Sequence, residues 1–271
     1  MIKSVEEELE MKKFCLITIA LILSNIVSAG ILETQGFETD ISGWGPYGGS
    51  STVTRVASGT NGITSSSGDY HAEIFMDGSV HMTATANGGG YTYPGGGVHL
   101  LPGFEKAIYS VDVYLDPSTY VNGDQWDMQV SMSINGDGVT TDNGYKTFSF
   151  VCKMADGTLT LGRNSGTPSP IIVSEAGWYT MSTEWTETAN GLVDYNYIYH
   201  NGTQYEVGVG VNNVNLTGAS YDTGYQWLFG YDDKDHTVAI DNATFEVTGV
   251  VPEPATLALL GLGGLLLRKR K

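Results

Sequence analysis

The sequence predicts an all-β protein: a two-sheet sandwich flanked by an N-terminal signal helix and a C-terminal hydrophobic helix. Three observations predict it. In the middle of the chain apolar and polar residues alternate over short runs, with almost no helical period. Those runs are cut by Asn-Gly and Asp-Gly pairs at 135–136, 137–138, 143–144, 156–157, 190–191 and 201–202, the pairs that accept positive φ in tight hairpins. Each end carries a short apolar segment set off by basic residues, at 14–23 and 257–267.

The first element is residues 1–29. The run FCLITIALIL follows Lys12 and Lys13 and is followed by Val27-Ser28-Ala29, small residues where a signal peptidase cuts. A basic start, about ten apolar residues and a small-residue exit make a secretory signal peptide. The run is too short for a permanent span, which takes about twenty residues. The acidic opening, Glu6, Glu7, Glu8 and Glu10, suits no signal peptide and points to Met11 as the start.

Residues 30–249 are the β-domain. Strands are expected at Gln35–Thr39, Ser51–Val56, Tyr70–Met76, Val80–Ala84, Ala107–Leu115, Trp126–Ile134, Tyr145–Lys153, Thr158–Leu161, Ile171–Val173, Trp178–Thr186, Asp194–His200, Gln204–Val211, Gln226–Gly230 and Thr237–Val247. That many short strands in one domain require two packed sheets. Of the chain's 30 acidic residues 25 lie between residues 30 and 251, against 6 of its 13 cations. This balance excludes nucleic acid, whose binders neutralise phosphates with Lys and Arg. Cys15 leaves with the signal peptide, so Cys152 has no intramolecular partner and reads as a buried, inert thiol in a strand.

Residues 250–271 are the last element. Pro252-Glu253-Pro254 precedes LALLGLGGLLL and the cluster Arg268, Lys269, Arg270, Lys271. The thirteen residues from Ala255 to Leu267 are short for a lasting span. The terminal cations resist translocation and hold that end in the cytoplasm. This three-part order resembles the PEP-CTERM sorting signal of environmental and biofilm-forming bacteria. The resemblance implies processing by an exosortase, a transpeptidase-like membrane enzyme that cleaves near the Pro-Glu-Pro motif. It also implies an association with extracellular polysaccharide, at the cell surface or in the matrix, after transient anchoring in the membrane by the C-terminal segment.

Further resemblances lie inside the β-domain. Gly36-Phe37-Glu38 with Trp44 resembles the opening strand of jelly-roll carbohydrate-binding modules, and Ala239–Phe245 their closing strand. Val111–Asp116 and Gly177–Thr180 are similar to segments of concanavalin-like domains. The jelly-roll resemblance implies a structural Ca²⁺ held by Glu38 and Asp241, with Asp40 as an extra ligand and backbone carbonyls completing a hard oxygen shell.

Glycan binding calls for flat rings with a polar tip. Trp44, Tyr47, Tyr91, Tyr93, Tyr120, Trp126 and Tyr231 fall in or near expected loops or strand ends and are the candidates. Trp178, Trp185 and Trp227 sit in alternating strands and read as core. The acidic turns 135–143 and 232–235 lack the spacing of an EF-hand and read as hairpin turns. No Glu-x-Asp-x-x-Glu string of the concanavalin-like glucanases occurs, and no Gly-x-Ser-x-Gly elbow. Glu184 and Glu187 are three apart, on opposite faces of a strand. The expectation is therefore a non-catalytic, glycan-associating surface or matrix protein. The alternative is a secreted glycoside hydrolase or lyase on the same sandwich.

Overall fold

The computed structural model describes residues 30–46, 50–77, 82–86, 99–100, 104–136, 139–154, 156–163, 170–189, 191–213, 220–230 and 234–249. The segments expected to form the signal helix and the C-terminal helix, with all the sorting-signal residues, lie outside them. Among the described residues no helix is long and apolar enough to cross a membrane.

The alternating runs form strands β1 (30–35), β2 (44–46), β3 (52–57), β4 (70–76), β5 (82–86), β6 (99–100), β7 (104–115), β8 (125–136), β9 (139–153), β10 (159–163), β11 (171–173), β12 (177–188), β13 (191–200), β14 (203–213), β15 (220–230) and β16 (236–249). Every pairing is antiparallel. One sheet runs β14-β13-β12-β7-β16-β4-β3, with β1 also on β16; the other runs β11-β10-β9-β8-β15-β5-β2, with β6 on β15. β16 closes the chain at the centre of the first sheet, so its residues meet partners from β1, β4 and β7 that are distant in sequence.

The hairpin chemistry largely holds. Asn201 and Gly202 take φ of 49° and 74° between β13 and β14, the two positive angles of a type I′ turn. Asn143-Gly144 is an exception: it pairs with Ile134 and Ser133 inside the β8–β9 ladder. The opening strand also differs from expectation. It ends at Gln35, and Phe37 turns into left-handed space at φ 56° with its ring wholly buried. Gln35 Oε1 accepts from Phe37 N, Arg55 Nε donates to the Phe37 carbonyl, and Phe37 packs edge-on against Trp44. These contacts hold a bulky residue where its own backbone preference opposes it.

Alternation sorts each strand into two faces. From the first sheet Val111, Val113, Leu115, Tyr179, Met181, Ile198, Val238 and Ile240 point inward; from the second Trp44, Trp126, Val151, Leu159, Leu161 and Val173 meet them. Tyr109, stacked on Phe245 at 4.3 Å and edge-on to Trp185 at 5.6 Å, extends the same inner face. This burial places two proposed glycan platforms in the core: Trp44 is 6% exposed and Trp126 wholly buried. Both lie on strands whose packing against the other sheet was invisible at the level of single strands.

Candidate functional site

The outer face of the first sheet is built from the residues that alternation leaves over. In β13 the sequence Tyr195-Asn196-Tyr197-Ile198-Tyr199 sends Asn196 and Ile198 inward, both fully buried, and the three tyrosines outward. Tyr195 and Tyr197 are parallel at 6.2 Å, and Tyr197 and Tyr199 are 6.4 Å apart, so one strand carries a ladder of three rings. Tyr199 is 38% exposed and the other two are half-buried.

The register fixes what lies beside each ring. Across β14, β13, β12, β7 and β16 the rows read Gln204, Tyr199, Thr180, Asp112, Asp241; then Glu206, Tyr197, Ser182, Ser110, Thr244. A third row carries Tyr195, Glu184, Ile108 and Glu246. Lys106 Nζ lies 2.8 Å from Glu184 Oε1, and that hydrogen bond raises the lysine's pKa. Burial, with Glu184 and Glu206 nearby, raises that of Tyr197; burial and Glu184 raise that of Tyr199. The face thus sets phenols among hydroxyls and carboxylates, and both Lys106 and Tyr197 are held in the form that cannot serve as a base.

Beside the ladder the same face is covered by the β3–β4 connection. Trp178 Nε1 donates to Thr64 O at 2.8 Å, and Ser65 Oγ contacts His71 Nδ1 at 3.0 Å. Ser66 Oγ donates to Asp112 at 2.5 Å and Ser67 N to Asp241 at 3.1 Å. Asp112 and Asp241 are direct partners on β7 and β16 and are both buried. Thr180 Oγ1 and Asn242 Nδ2 also donate to Asp112, and Asn242 N to Asp241. Burial first, then the Asp112 charge, pushes the Asp241 pKa up to about 6. Trp178, expected in the core, is half-buried under this connection, edge-on to Tyr114 and His71.

The proposed calcium ligands Glu38, Asp40 and Asp241 are each hydrogen-bonded to backbone N–H groups. Glu38 accepts from Asp69 N and Tyr70 N, capping the end of the β3–β4 connection. Asp241 accepts from Ser67 N, and Asp40 caps its own turn by accepting from Ser42 N. Among the described residues no three His, Cys, Asp or Glu are grouped to hold a metal. The carboxylate that the fold brings opposite Asp241 is Asp112, which sequence reasoning passed over. The sorting signal apart, the other proposed residues divide as follows. Tyr120 lines a cleft of 460 Å³ with Tyr114, Asp116, Asp124, Asp235 and His236. Its hydroxyl accepts from Trp126 Nε1, and burial pushes its pKa up to about 12. Tyr47, Tyr91, Tyr93 and Tyr231 lie outside the described residues. Sequence reasoning missed the ladder itself, although three tyrosines spaced by two within one expected strand were the signal for it.

No curated protein matches the sequence. Among solved structures, an alginate lyase from Chlorella virus is 11% identical with a TM-score of 0.41, covering 81% of this chain and 100% of its own. A lectin from Bauhinia forficata, in complex with GalNAc, is 9% identical with a TM-score of 0.34, covering 75% of this chain and 96% of its own. An alginate lyase from Klebsiella pneumoniae is 11% identical with a TM-score of 0.29, over 73% of this chain and 81% of its own. The sandwich assignment rests on the strand pairings and not on these likenesses. At the C-terminus the match is to a named motif: residues 250–271 are a PEP-CTERM protein-sorting motif, which marks the chain for export and sorting to the cell envelope.

Proposed function

We propose that the chain is an exosortase substrate whose β-sandwich reaches the cell surface or matrix and associates there with glycan without cleaving it. A signal peptidase removes the N-terminal segment, and the C-terminal segment holds the protein in the membrane until processing. The tyrosine ladder carries the glycan part of this reading. Three evenly spaced phenol rings offer apolar faces to the CH faces of sugars and hydroxyl tips to their polar edges. Glu184 and Glu206 beside them supply hydrogen-bond partners. The test is a pull-down of the full-length chain, in mild non-ionic detergent, on insoluble polysaccharides and on matrix polymer from the producing cells. Retention that falls at least tenfold in Tyr197→Ala supports the reading. Retention by none of these polymers reduces the domain to a structural surface module.

One observation favours the enzymatic alternative. Glu184 and Glu246 share a row on β12 and β16 with only β7 between them. Strand spacing then puts their Cα atoms about 10 Å apart, and side chains leaning toward each other over β7 would bring the carboxylates into the roughly 6.5–9.5 Å of inverting glycosidases. Against it, Glu184 is tied to Lys106. Release of new reducing ends or unsaturated products, lost in Glu184→Gln, would establish cleavage.

A further inference from the structure

Resting on the glycan reading above, we propose that the tyrosine face selects uncharged polysaccharide, with Glu206 and Glu246 rejecting polyanions. Asp112 and Asp241 of that face lie under the β3–β4 connection; beside the ladder, among the described residues, its rows carry Glu206 on β14, Glu184 on β12, Lys106 on β7 and Glu246 on β16. Lys106, the only cation of the face among the described residues, is held 2.8 Å from Glu184. The other cations whose side chains are described are engaged elsewhere. Arg55 donates to the Phe37 and Glu38 carbonyls, Lys153 to the Pro117 carbonyl and Lys234 to Asp124. Among the described residues Glu206 and Glu246 therefore stand uncompensated, the one beside the ladder and the other beside the hydroxyls of Ser110 and Thr244.

Ionised carboxylates only accept hydrogen bonds, and those they accept from neutral hydroxyls are stronger than neutral pairs. A polyol chain, rich in O–H donors and without charge, matches such a face. A uronate or sulfate chain brings further acceptors and like charge, while the one Lys of the face among the described residues is already paired with Glu184, and like-charge juxtaposition across an interface is strongly unfavourable. The domain's excess of acidic residues reinforces this at low salt, while ions screen it at higher ionic strength.

The experiment is affinity electrophoresis of the full-length chain in mild non-ionic detergent, in gels containing matched polymers. Hydroxyethyl cellulose is set against carboxymethyl cellulose, and soluble starch against carboxymethyl starch. Retardation by at least one neutral polymer, at least tenfold weaker with its carboxymethylated partner and with a gap that narrows as salt rises, supports the proposal. In the double variant Glu206→Gln/Glu246→Gln the ratio of neutral to anionic binding should fall several-fold. Equal or tighter retardation by the anionic partners, or a ratio unmoved in the double variant, overturns the selectivity while leaving glycan binding standing. Retardation by no polymer of either kind overturns the glycan reading, and the selectivity with it.

Discussion

Replacing Asp241 by Asn should make the protein more stable at alkaline pH and change little in acid. Asp241 is wholly buried and directly opposes Asp112 across the β7–β16 ladder. Burial and that neighbouring charge raise its pKa to about 6. The folded chain thus holds a proton here more tightly than the unfolded chain. Its contribution to stability is fully present below about pH 4, the unfolded aspartate value, and is lost as pH rises through about 6. The displacement bounds the effect at about 3 kcal/mol. Relaxation and water penetration around a buried charge lower the expected figure to about 2 kcal/mol. An asparagine mimics the protonated carboxyl: it carries no charge and keeps one acceptor oxygen, for either Ser67 N or Asn242 N, which bond different oxygens of Asp241. At pH 8 the variant should therefore melt roughly 4–8 °C above wild type, and the two should converge near pH 4. His71, whose pKa is lowered by burial, affects both proteins alike. The assay is thermal unfolding of both proteins from pH 4 to 9. A difference that does not vary with pH, or a variant less stable than wild type at pH 8, refutes the argument.

Two further outcomes are expected. Trp185 is wholly buried and its indole Nε1 has no hydrogen-bond partner. Trp185→Phe removes an unsatisfied donor together with part of a ring, so it should cost less than about 1.5 kcal/mol in a denaturant titration, whereas Trp185→Ala should cost about 3–5 kcal/mol. Glu38 caps Asp69 N and Tyr70 N. Its replacement by Ala should cost about 1 kcal/mol whether or not EDTA is present, and a cost seen only in the absence of EDTA would return Glu38 to the role of calcium ligand.

Much of the fold was legible in the sequence because strands and hairpins are local. Alternation at Tyr70–Met76 and Gly-Asn chemistry at Asn201-Gly202 act over a few residues, and both appear where expected. What was not legible depends on pairing between distant segments. Trp126 resembles a strand-end aromatic until β8 is packed against the first sheet, and Asp112 looks like a solvated carboxylate until β16 sets Asp241 beside it. Phe37 defeats local reasoning outright, because its left-handed backbone is held by Gln35 and Arg55 against its own preference. The tyrosine ladder lies between these cases. Its period of two was visible, but the search for ligand-binding rings looked to loops, where rings are exposed by default, and not to the outer face of a strand.

The claim on which the functional account depends is that the ladder of β13 touches glycan. Its most direct measurement is the retardation of Tyr195→Ala, Tyr197→Ala and Tyr199→Ala variants in gels of whichever neutral polymer retards the wild type. Each variant is checked by its melt to be folded. The account predicts that all three weaken retardation, with Tyr197, the central ring, weakening it most and by at least tenfold. Folded variants retarded as strongly as wild type would contradict it.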